Sequence, residues 1–474
     1  MNRLRKVVNI SIIVAIGLSG SFCTSCKKEL KEGTIIFTQV ERRGPDSNFD
    51  MGDSWRSTLP ARIVALDPDK PVGIKVLTDG YYSAHSPEVS YDGKHLLFTA
   101  QEKQNDPWQI WEMSLKDLKA RQITSSSENC FDPVYLPGGR LVFSKSARSD
   151  AVKTGQSLNV CNLDGSGLTQ ITFSPHDYFA STVLKDGRVL TICKQLSSDQ
   201  REPVFIVMRP DGTKAEMFYQ GIEKGAKISR GKETVGGKIV FIESGKDNKD
   251  KGNIVTIDYN RPLHTRINNT VELNGDFRSA ISLKSDKLLV SCRTTDVGNY
   301  ALYEFDLGNK TLGQSIYNSA DYNAFDAVIL EEHDRPKKLP SEVDMGVKTG
   351  LLICQDVNFF GPESTSSFSK AGRIEVLGID STLGVVEVEE DGSVYLKIIA
   401  DTPFQIQSID LNGSVVNGPC DWIWLRPNER RGCVGCHEDP EIVPDNRFML
   451  AVKKDPVLVP VHISKIKEKE ISLE

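Results

Sequence analysis

The sequence predicts an all-β protein, in which a six-bladed β-propeller is followed by a small β-sandwich-like domain with a cysteine motif. Three observations predict this organisation. Apolar strand patterns with turn signals repeat at a period in the forties, which is typical of one propeller blade. Shorter strands and hairpin turns follow the repeats. Near the C-terminal end, Cys433 and Cys436 stand in the order Cys-x-x-Cys-His.

The period is measured between the apolar strands that follow each turn signal, such as Asp92-Gly93 and Asp186-Gly187. The spacings between successive strands are 45, 48, 50 and 49 residues. An array of β-sandwiches does not explain so steady a period. The strands begin at His95, Arg140, Arg188, Lys238 and Lys287.

Five repeats lie between about residues 81 and 319, and the sixth is divided between the two ends of the repeat region. Residues 34–38 and 61–66 supply its later strands, and residues 323–330 supply the first. Pairing these segments closes the ring and removes the open sheet edges. We therefore expect the propeller to span residues 30–335.

The composition changes after the repeats. A charged, proline-punctuated connection is expected over residues 336–371. Short strands around the hairpin signal Asp391-Gly392 predict the small β-domain over residues 372–425. Residues 426–474 form the segment with the cysteine motif and a C-terminal tail.

The motif Cys433-Val434-Gly435-Cys436-His437 has the spacing at which a c-type haem is attached covalently. Cys433 and Cys436 would bind the porphyrin vinyl groups, and His437 would bind the iron. Three alternatives remain: a disulfide, a thioredoxin-like redox pair and half of a zinc site. Structural zinc needs four protein ligands, and the remaining cysteines stand singly.

Further haem contacts are expected near the motif. Only 37 residues follow His437, fewer than a separate helical cytochrome needs, so the β-domain or the propeller must enclose the haem. Arg430 and Arg431 are candidates to pair with the propionates, and a solvated loop is the alternative. Met449 and His462 are candidates for the second axial position, which could equally be open or water-bound.

The N-terminal residues predict export. A positive start is followed by an apolar run over residues 7–18, too short to span a bilayer and typical of a signal peptide. The next residues resemble a bacterial lipoprotein signal covering residues 1–25, with Cys26 lipidated; Cys23 is the alternative, as is an ordinary cleaved signal. We expect a protein in the periplasm or at the cell surface, lipid-anchored to the outer membrane.

Composition limits the partners. Acidic residues number 64 and basic residues 58, which gives a formal net charge of −6. No run of Lys or Arg is long enough to follow a phosphate backbone, so nucleic acid is not expected as a partner. Six further cysteines stand singly in strand-like segments and are expected as buried thiols, with one or two disulfides as the alternative: Cys130, Cys161, Cys193, Cys292, Cys354 and Cys420.

Two resemblances are specific enough to name. The repeat over residues 86–98 resembles the TolB-type propeller repeat. The region from Gly372 to Glu438, above all Glu429-Arg430-Arg431-Gly432-Cys433, resembles the haem-bearing part of the hydrazine synthase alpha subunit-like family. That resemblance implies a propeller followed by a c-type haem lying against β-structure. The family's well-known enzyme carries more than one haem in this subunit and works with partner subunits, whereas this sequence has a single Cys-x-x-Cys-His.

Two functions are compatible with these features. The first is a redox or electron-transfer protein, including a haem-dependent oxidoreductase, that acts with a redox partner protein. The second is a propeller scaffold that binds a protein, peptide or glycan, with a structural or sensory haem. The sequence contains no Ser-His-Asp arrangement, phosphate loop or paired catalytic carboxylates, so haem is the group expected to carry any difficult chemistry.

The motif predicts covalent haem in protein made with haem-maturation machinery. Mass spectrometry after acid-acetone extraction should find the mass of one porphyrin retained on the chain, and Cys433→Ala with Cys436→Ala should abolish it. His437→Ala should keep the porphyrin but alter its visible spectrum, because only the iron ligand is lost. A mature chain without added porphyrin mass would contradict the haem interpretation.

Overall fold

The computed structural model describes residues 30–42, 60–70, 73–147, 155–195, 203–221, 226–245, 251–295, 297–359, 370–433, 441 and 447–460. Within these ranges the regular structure is β-strand apart from one 3-10 helix, Leu450–Lys453. No helix among the described residues has the length and hydropathy to cross a membrane. The predicted all-β fold is confirmed.

The first six sheets are antiparallel and follow one another along the chain as propeller blades. The first blade contains β1 (Ile35–Glu41), β2 (Ala61–Leu66) and β3 (Ile74–Val76). The strands of the next five blades follow in chain order: β4 (Ser83–Val89), β5 (His95–Gln101), β6 (Gln109–Ser114), β7 (Ala120–Gln122); β8 (Cys130–Leu136), β9 (Arg140–Ala147), β10 (Gly155–Asn162), β11 (Thr169–Gln170); β12 (His176–Val183), β13 (Val189–Gln195), β14 (Val204–Met208), β15 (Glu216–Gln220); β16 (Lys227–Ile228), β17 (Lys232–Glu233), β18 (Lys238–Ser244), β19 (Asn253–Asp258), β20 (Ile267–Asn268); β21 (Asp276–Ser282), β22 (Lys287–Arg293), β23 (Ala301–Asp306) and β24 (Thr311–Tyr317).

The ring is closed by a strand from the far end of the propeller. β25 (Tyr322–Ile329) pairs antiparallel with β1, from Ile35 opposite Ile329 to Glu41 opposite Tyr322. β25 is thereby the innermost strand of the first blade, and it also contacts β4 of the second. The first blade consequently draws strands from both ends of the propeller.

A buried carboxylate links the inner strands of four blades. Ser86, Asp132 and Ala180 lie at register breaks of β4, β8 and β12, with φ angles of 55°, 52° and 52°, a region that non-glycine residues rarely adopt. The Asp132 carboxylate accepts hydrogen bonds from the Ser86 hydroxyl at 2.7 Å and the Ala180 amide at 3.2 Å. It also forms an ion pair with Arg230 of the fifth blade at 2.9 Å. These bonds connect the blades around the central channel.

The segment after β25 runs across the blade turns. The His333 amide donates to the Tyr91 carbonyl and the Lys337 amide to the Lys185 carbonyl, each at 3.0 Å. Gly187 accommodates this segment, because a Cβ there would come within 2.1 Å of the Lys337 carbonyl oxygen, and its φ of +93° also favours glycine. The segment between β25 and the β-domain is thus bonded to the second and fourth blades.

The small β-domain consists of two four-stranded sheets with a hydrophobic core that includes Leu352, Val376 and Phe404. One sheet has the order β32-β26-β29-β33 and the other β28-β27-β30-β31. Their ranges are β26 (Thr349–Cys354), β27 (Arg373–Leu377), β28 (Thr382–Glu387), β29 (Val394–Ile399), β30 (Gln405–Ile409), β31 (Val415–Asn417), β32 (Arg430–Cys433) and β33 (Val457–Val459).

The β-domain differs from the boundaries expected from the sequence. β26 lies in the predicted connection 336–371, and β32 and β33 lie in the predicted segment 426–474, yet all three join one sheet of the domain. β32 pairs in parallel with β26, and β33 in parallel with β29. Parallel partners need a long crossover between them, so no hairpin signal indicates these pairings in the sequence.

Ring closure predicts the effect of an N-terminal deletion. Removing residues 27–66 would take β1 and β2 from the first blade and expose sheet edges on β25 and β3. We expect the whole propeller to aggregate or lose cooperative thermal unfolding, measured by circular dichroism. A chain that begins at Leu30 serves as the control and should melt cooperatively. Cooperative melting of the larger truncation would contradict this closure.

Candidate functional site

Cys433, the first cysteine of the Cys-x-x-Cys-His motif, ends β32 in one sheet of the β-domain. It lies in parallel register with Cys354, the last residue of β26. The Cys433 carbonyl accepts a hydrogen bond from the Gln355 amide at 2.9 Å. The backbone of the first motif cysteine is therefore held by regular strand pairing.

The Cys433 side chain borders an apolar cavity of about 220 Å³ between the two sheets. Both sheets contribute aliphatic side chains such as Leu352 and Ile374 to its wall. Ala215 of the fourth blade also lines it, so the propeller closes one side. Cys433 is half-buried and packs against the core cluster of the domain.

Glu429 joins the motif segment to the propeller. Its side chain is fully buried, and it accepts hydrogen bonds from the Lys214 amide at 2.7 Å and the Arg426 amide at 2.8 Å. Arg431 donates to the same carboxylate through Nε at 3.0 Å and Nη2 at 2.7 Å. A buried carboxylate must keep its hydrogen-bond donors, so Glu429 holds the chain against the propeller four residues before Cys433.

The second contact with the propeller lies beyond the motif. Glu441 accepts a hydrogen bond from the Leu263 amide in the fifth blade at 2.8 Å. Arg261 and His264 of the same loop lie 3.6 Å and 3.8 Å from its carboxylate. The motif is consequently bounded by two propeller contacts, Glu429 before it and Glu441 after it.

A third contact joins the β-domain to the fourth blade. His176 Nε2 lies 3.1 Å from Asp421 Oδ1, and the His176 side chain is only 2% exposed. Trp424 packs edge-on against Tyr178 with ring centroids 6.0 Å apart. Trp424 is itself buried within the core shared by the third and fourth blades. The β-domain is therefore docked on the propeller by apolar and polar contacts together.

Of the remaining candidate residues, only Arg431 lines the cavity beside Cys433 among those that the structure describes. Arg431 is bound to Glu429, whereas Arg430 is exposed at the start of β32. Met449 is half-buried before the 3-10 helix and does not line the cavity. No cluster of three or more His, Cys, Asp or Glu side chains suited to a metal ion occurs within the described ranges. Four other candidates lie outside those ranges: Cys26, Cys436, His437 and His462.

Sequence reasoning missed Glu429, Asp421 and Glu441. Glu429 lies within the string that carried the family resemblance, but its partner Lys214 is 215 residues away in the sequence. No local pattern marks such a contact. A glutamate among arginines before a strand is the only signal that pointed to this position.

Loss of the Glu429 carboxylate should destabilise the docked β-domain. We expect Glu429→Ala to lower the free energy of unfolding by about 3–5 kcal/mol, because Arg431 and two buried amides lose their acceptor. Glu429→Gln should cost less, since the amide retains an acceptor oxygen. The check is urea denaturation with Glu216→Ala as control, a side chain that is 62% exposed. Equal stability of Glu429→Ala and wild type would disprove the role of this carboxylate.

Comparison with known proteins agrees with the resemblance seen in the sequence. The family model of the hydrazine synthase alpha subunit middle domain matches residues 359–438. Hydrazine synthase subunit alpha of Kuenenia stuttgartiensis is 22% identical over an alignment 535 positions long, gaps included, which covers 85% of this chain and 65% of the relative. This chain therefore spans about two thirds of that relative's length.

The solved structure of hydrazine synthase gives the same picture for the fold. Kuenenia stuttgartiensis hydrazine synthase is similar with a TM-score of 0.76 and 20% identity, over 90% of this chain and 72% of that chain. TolB from Acinetobacter baumannii has a TM-score of 0.45 and 15% identity, over 62% of this chain and 66% of that chain. Residues 359–438 match the middle domain of hydrazine synthase alpha subunits, and over most of its length this chain is similar to such a subunit in sequence and to hydrazine synthase in fold.

Proposed function

We propose that this protein is an exported, lipid-anchored c-type haem protein that transfers electrons or performs redox chemistry on a small nitrogen or oxygen compound. The observation that supports it most is the environment of Cys433. This motif cysteine borders an apolar cavity walled by the β-domain and by Ala215 of the propeller. An apolar wall beside the attachment thiol suits a porphyrin edge.

Cys433 and Cys436 would hold the haem through thioether bonds, and His437 would be the axial ligand. The cavity, at about 220 Å³, is smaller than the roughly 300–1,000 Å³ of typical small-molecule sites. It would therefore receive only an edge of the porphyrin. Bound haem supplies an iron that gains and loses one electron.

The protein's own residues provide position and charge around that site. Glu429 and Glu441 fix the two flanks of the motif on the propeller. Arg431 uses Nε and Nη2 for Glu429, and Nη1 donates no hydrogen bond within the described part of the chain. Nη1 is the donor we assign to a haem propionate, with Arg430 as a second, exposed cation. Met449 or His462 would bind the iron if the second axial position is filled.

Location and partners follow from the same proposal. A lipid on Cys26 would anchor the chain to the outer membrane, in the periplasm or at the cell surface. Covalent haem is attached outside the cytoplasm, so export and the Cys-x-x-Cys-His motif support each other. A redox partner protein would exchange electrons with the haem.

A second function is favoured by a groove of about 360 Å³ between the fifth and sixth blades, lined by both polar and aliphatic side chains. Hydroxyl, amide and ammonium groups line it, among them Thr234, Asn269, Ser282, Lys238 and Lys310. Such groups suit a glycan or a short peptide. Binding of an oligosaccharide by haem-free protein, removed by Asn269→Ala, would favour this scaffold function.

The proposal rests on the cavity beside Cys433, so a variant that fills this cavity tests it. We expect Ala215→Phe to lower the fraction of chains with haem, measured as Soret absorbance per protein, because the ring occupies the space meant for the porphyrin edge. Ala120→Phe, in the corresponding part of the second blade, is the control and should load like wild type. Both variants should melt cooperatively. Equal haem loading in the two variants would show that the cavity does not receive the porphyrin.

A further inference from the structure

Three cysteines line the cavity of the β-domain: Cys354, Cys420 and Cys433. Cys354 is buried, and the other two are half-buried. Only Cys433 belongs to the haem motif. The other two thiols therefore share one apolar cavity with the attachment cysteine, and the haem motif assigns them no role.

Cys354 and Cys433 are directly adjacent in the sheet. They are register partners in the parallel pair of β26 and β32, so their side chains leave the sheet on the same face. Neighbouring strands lie about 4.8 Å apart, within the range of about 4.4–6.8 Å over which a disulfide bridges two Cα atoms. The backbone thus brings these two residues to bridging distance.

Cys420 is a poorer partner for Cys433. Its sulfur accepts a hydrogen bond from the Ile406 amide and donates to the Asp421 carbonyl, both at 3.2 Å. Burial raises the pKa of the Cys420 thiol to about 11, so little of the nucleophilic thiolate forms at neutral pH. The strand register favours Cys354, which lies directly opposite Cys433.

We propose that Cys354 and Cys433 form a disulfide in the haem-free chain, and that this disulfide blocks haem attachment at Cys433. The blocking role rests on the proposed haem function, whereas the disulfide itself does not. Oxidation removes one hydrogen from each thiol and joins the sulfurs; an external disulfide such as oxidised glutathione takes up the two electrons and two protons and leaves as two thiols. A thiol reductant reverses the reaction.

The disulfide and the thioether to haem compete for the same Cys433 sulfur. The Cys433 sulfur cannot hold a thioether to the porphyrin while it is bonded to Cys354. Haem would be attached only to chains in which this pair is reduced. Cys354 would thereby make haem loading depend on the thiol redox state of the compartment in which the chain folds.

Peptide mapping tests the disulfide directly. Full-length mature chain made without haem is equilibrated with oxidised and reduced glutathione, the remaining thiols are alkylated, and the chain is digested with trypsin without reduction. Cleavage places Cys354 in the peptide 349–370, and Cys433 with Cys436 in the peptide 432–447. We expect these two peptides to be joined, and to stay joined in the Cys436→Ser variant.

Other linkages would overturn the proposal. A bond within peptide 432–447 in wild type would show that Cys433 pairs with Cys436 instead. A bond to peptide 398–430, which contains Cys420 and is not cut at the Arg426–Pro427 bond, would make Cys420 the partner. Alkylation of both Cys354 and Cys433 at every glutathione ratio would show that no disulfide forms.

Haem loading tests the blocking role. Under oxidising maturation conditions we expect Cys354→Ser to carry more haem per chain than wild type, and added thiol reductant to remove the difference. Cys292→Ser, a buried cysteine of the propeller, is the control and should load like wild type. Equal loading of Cys354→Ser and wild type would overturn the blocking role. If wild type takes up no haem even under reducing conditions, the haem function fails, and peptide mapping still decides the disulfide.

Discussion

The pairing of β1 with β25 is the contact on which the other parts of the molecule depend. It covers two strand edges that would otherwise be open, which a propeller has to avoid. It also fixes the point at which the chain leaves the ring, because the segment after Ile329 begins there. From that point, bonds to the second and fourth blades lead the chain to β26. The position of the β-domain therefore follows from how the ring closes.

Buried carboxylates with several donors hold distant segments together at two places. Asp132 connects inner strands of four blades, and Glu429 connects the motif segment with the fourth blade. Burying a charge costs free energy unless hydrogen bonds and opposite charges compensate it. Each carboxylate has an arginine and at least one backbone amide among its partners. These two carboxylates fix the relative positions of the segments they join, because moving any partner away would leave a buried polar group without a hydrogen bond.

The surroundings of Cys433 result from the position of β32, a strand near the C-terminal end of the sequence that forms one edge of its sheet. β32 adds to β26 as a parallel partner and closes one edge of a sheet whose other strands come earlier and later. The pairing of β32 with β26 thus fixes the backbone of Cys433, places its side chain beside the cavity and brings it next to Cys354.

The sequence by itself determined the repeating part of the fold, and it predicted a chemistry for the Cys-x-x-Cys-His motif. The blade period indicated strands beginning at His95, Arg140, Lys238 and Lys287, where β5, β9, β18 and β22 begin, because alternation and turn residues act over a few residues. The Cys-x-x-Cys-His spacing is equally local. Only the tertiary structure decided that β26, β32 and β33 share a sheet, that Glu429 meets Lys214 and that Cys354 adjoins Cys433. These contacts join residues far apart in the chain, and they form through shape complementarity and shared burial, which no local pattern records.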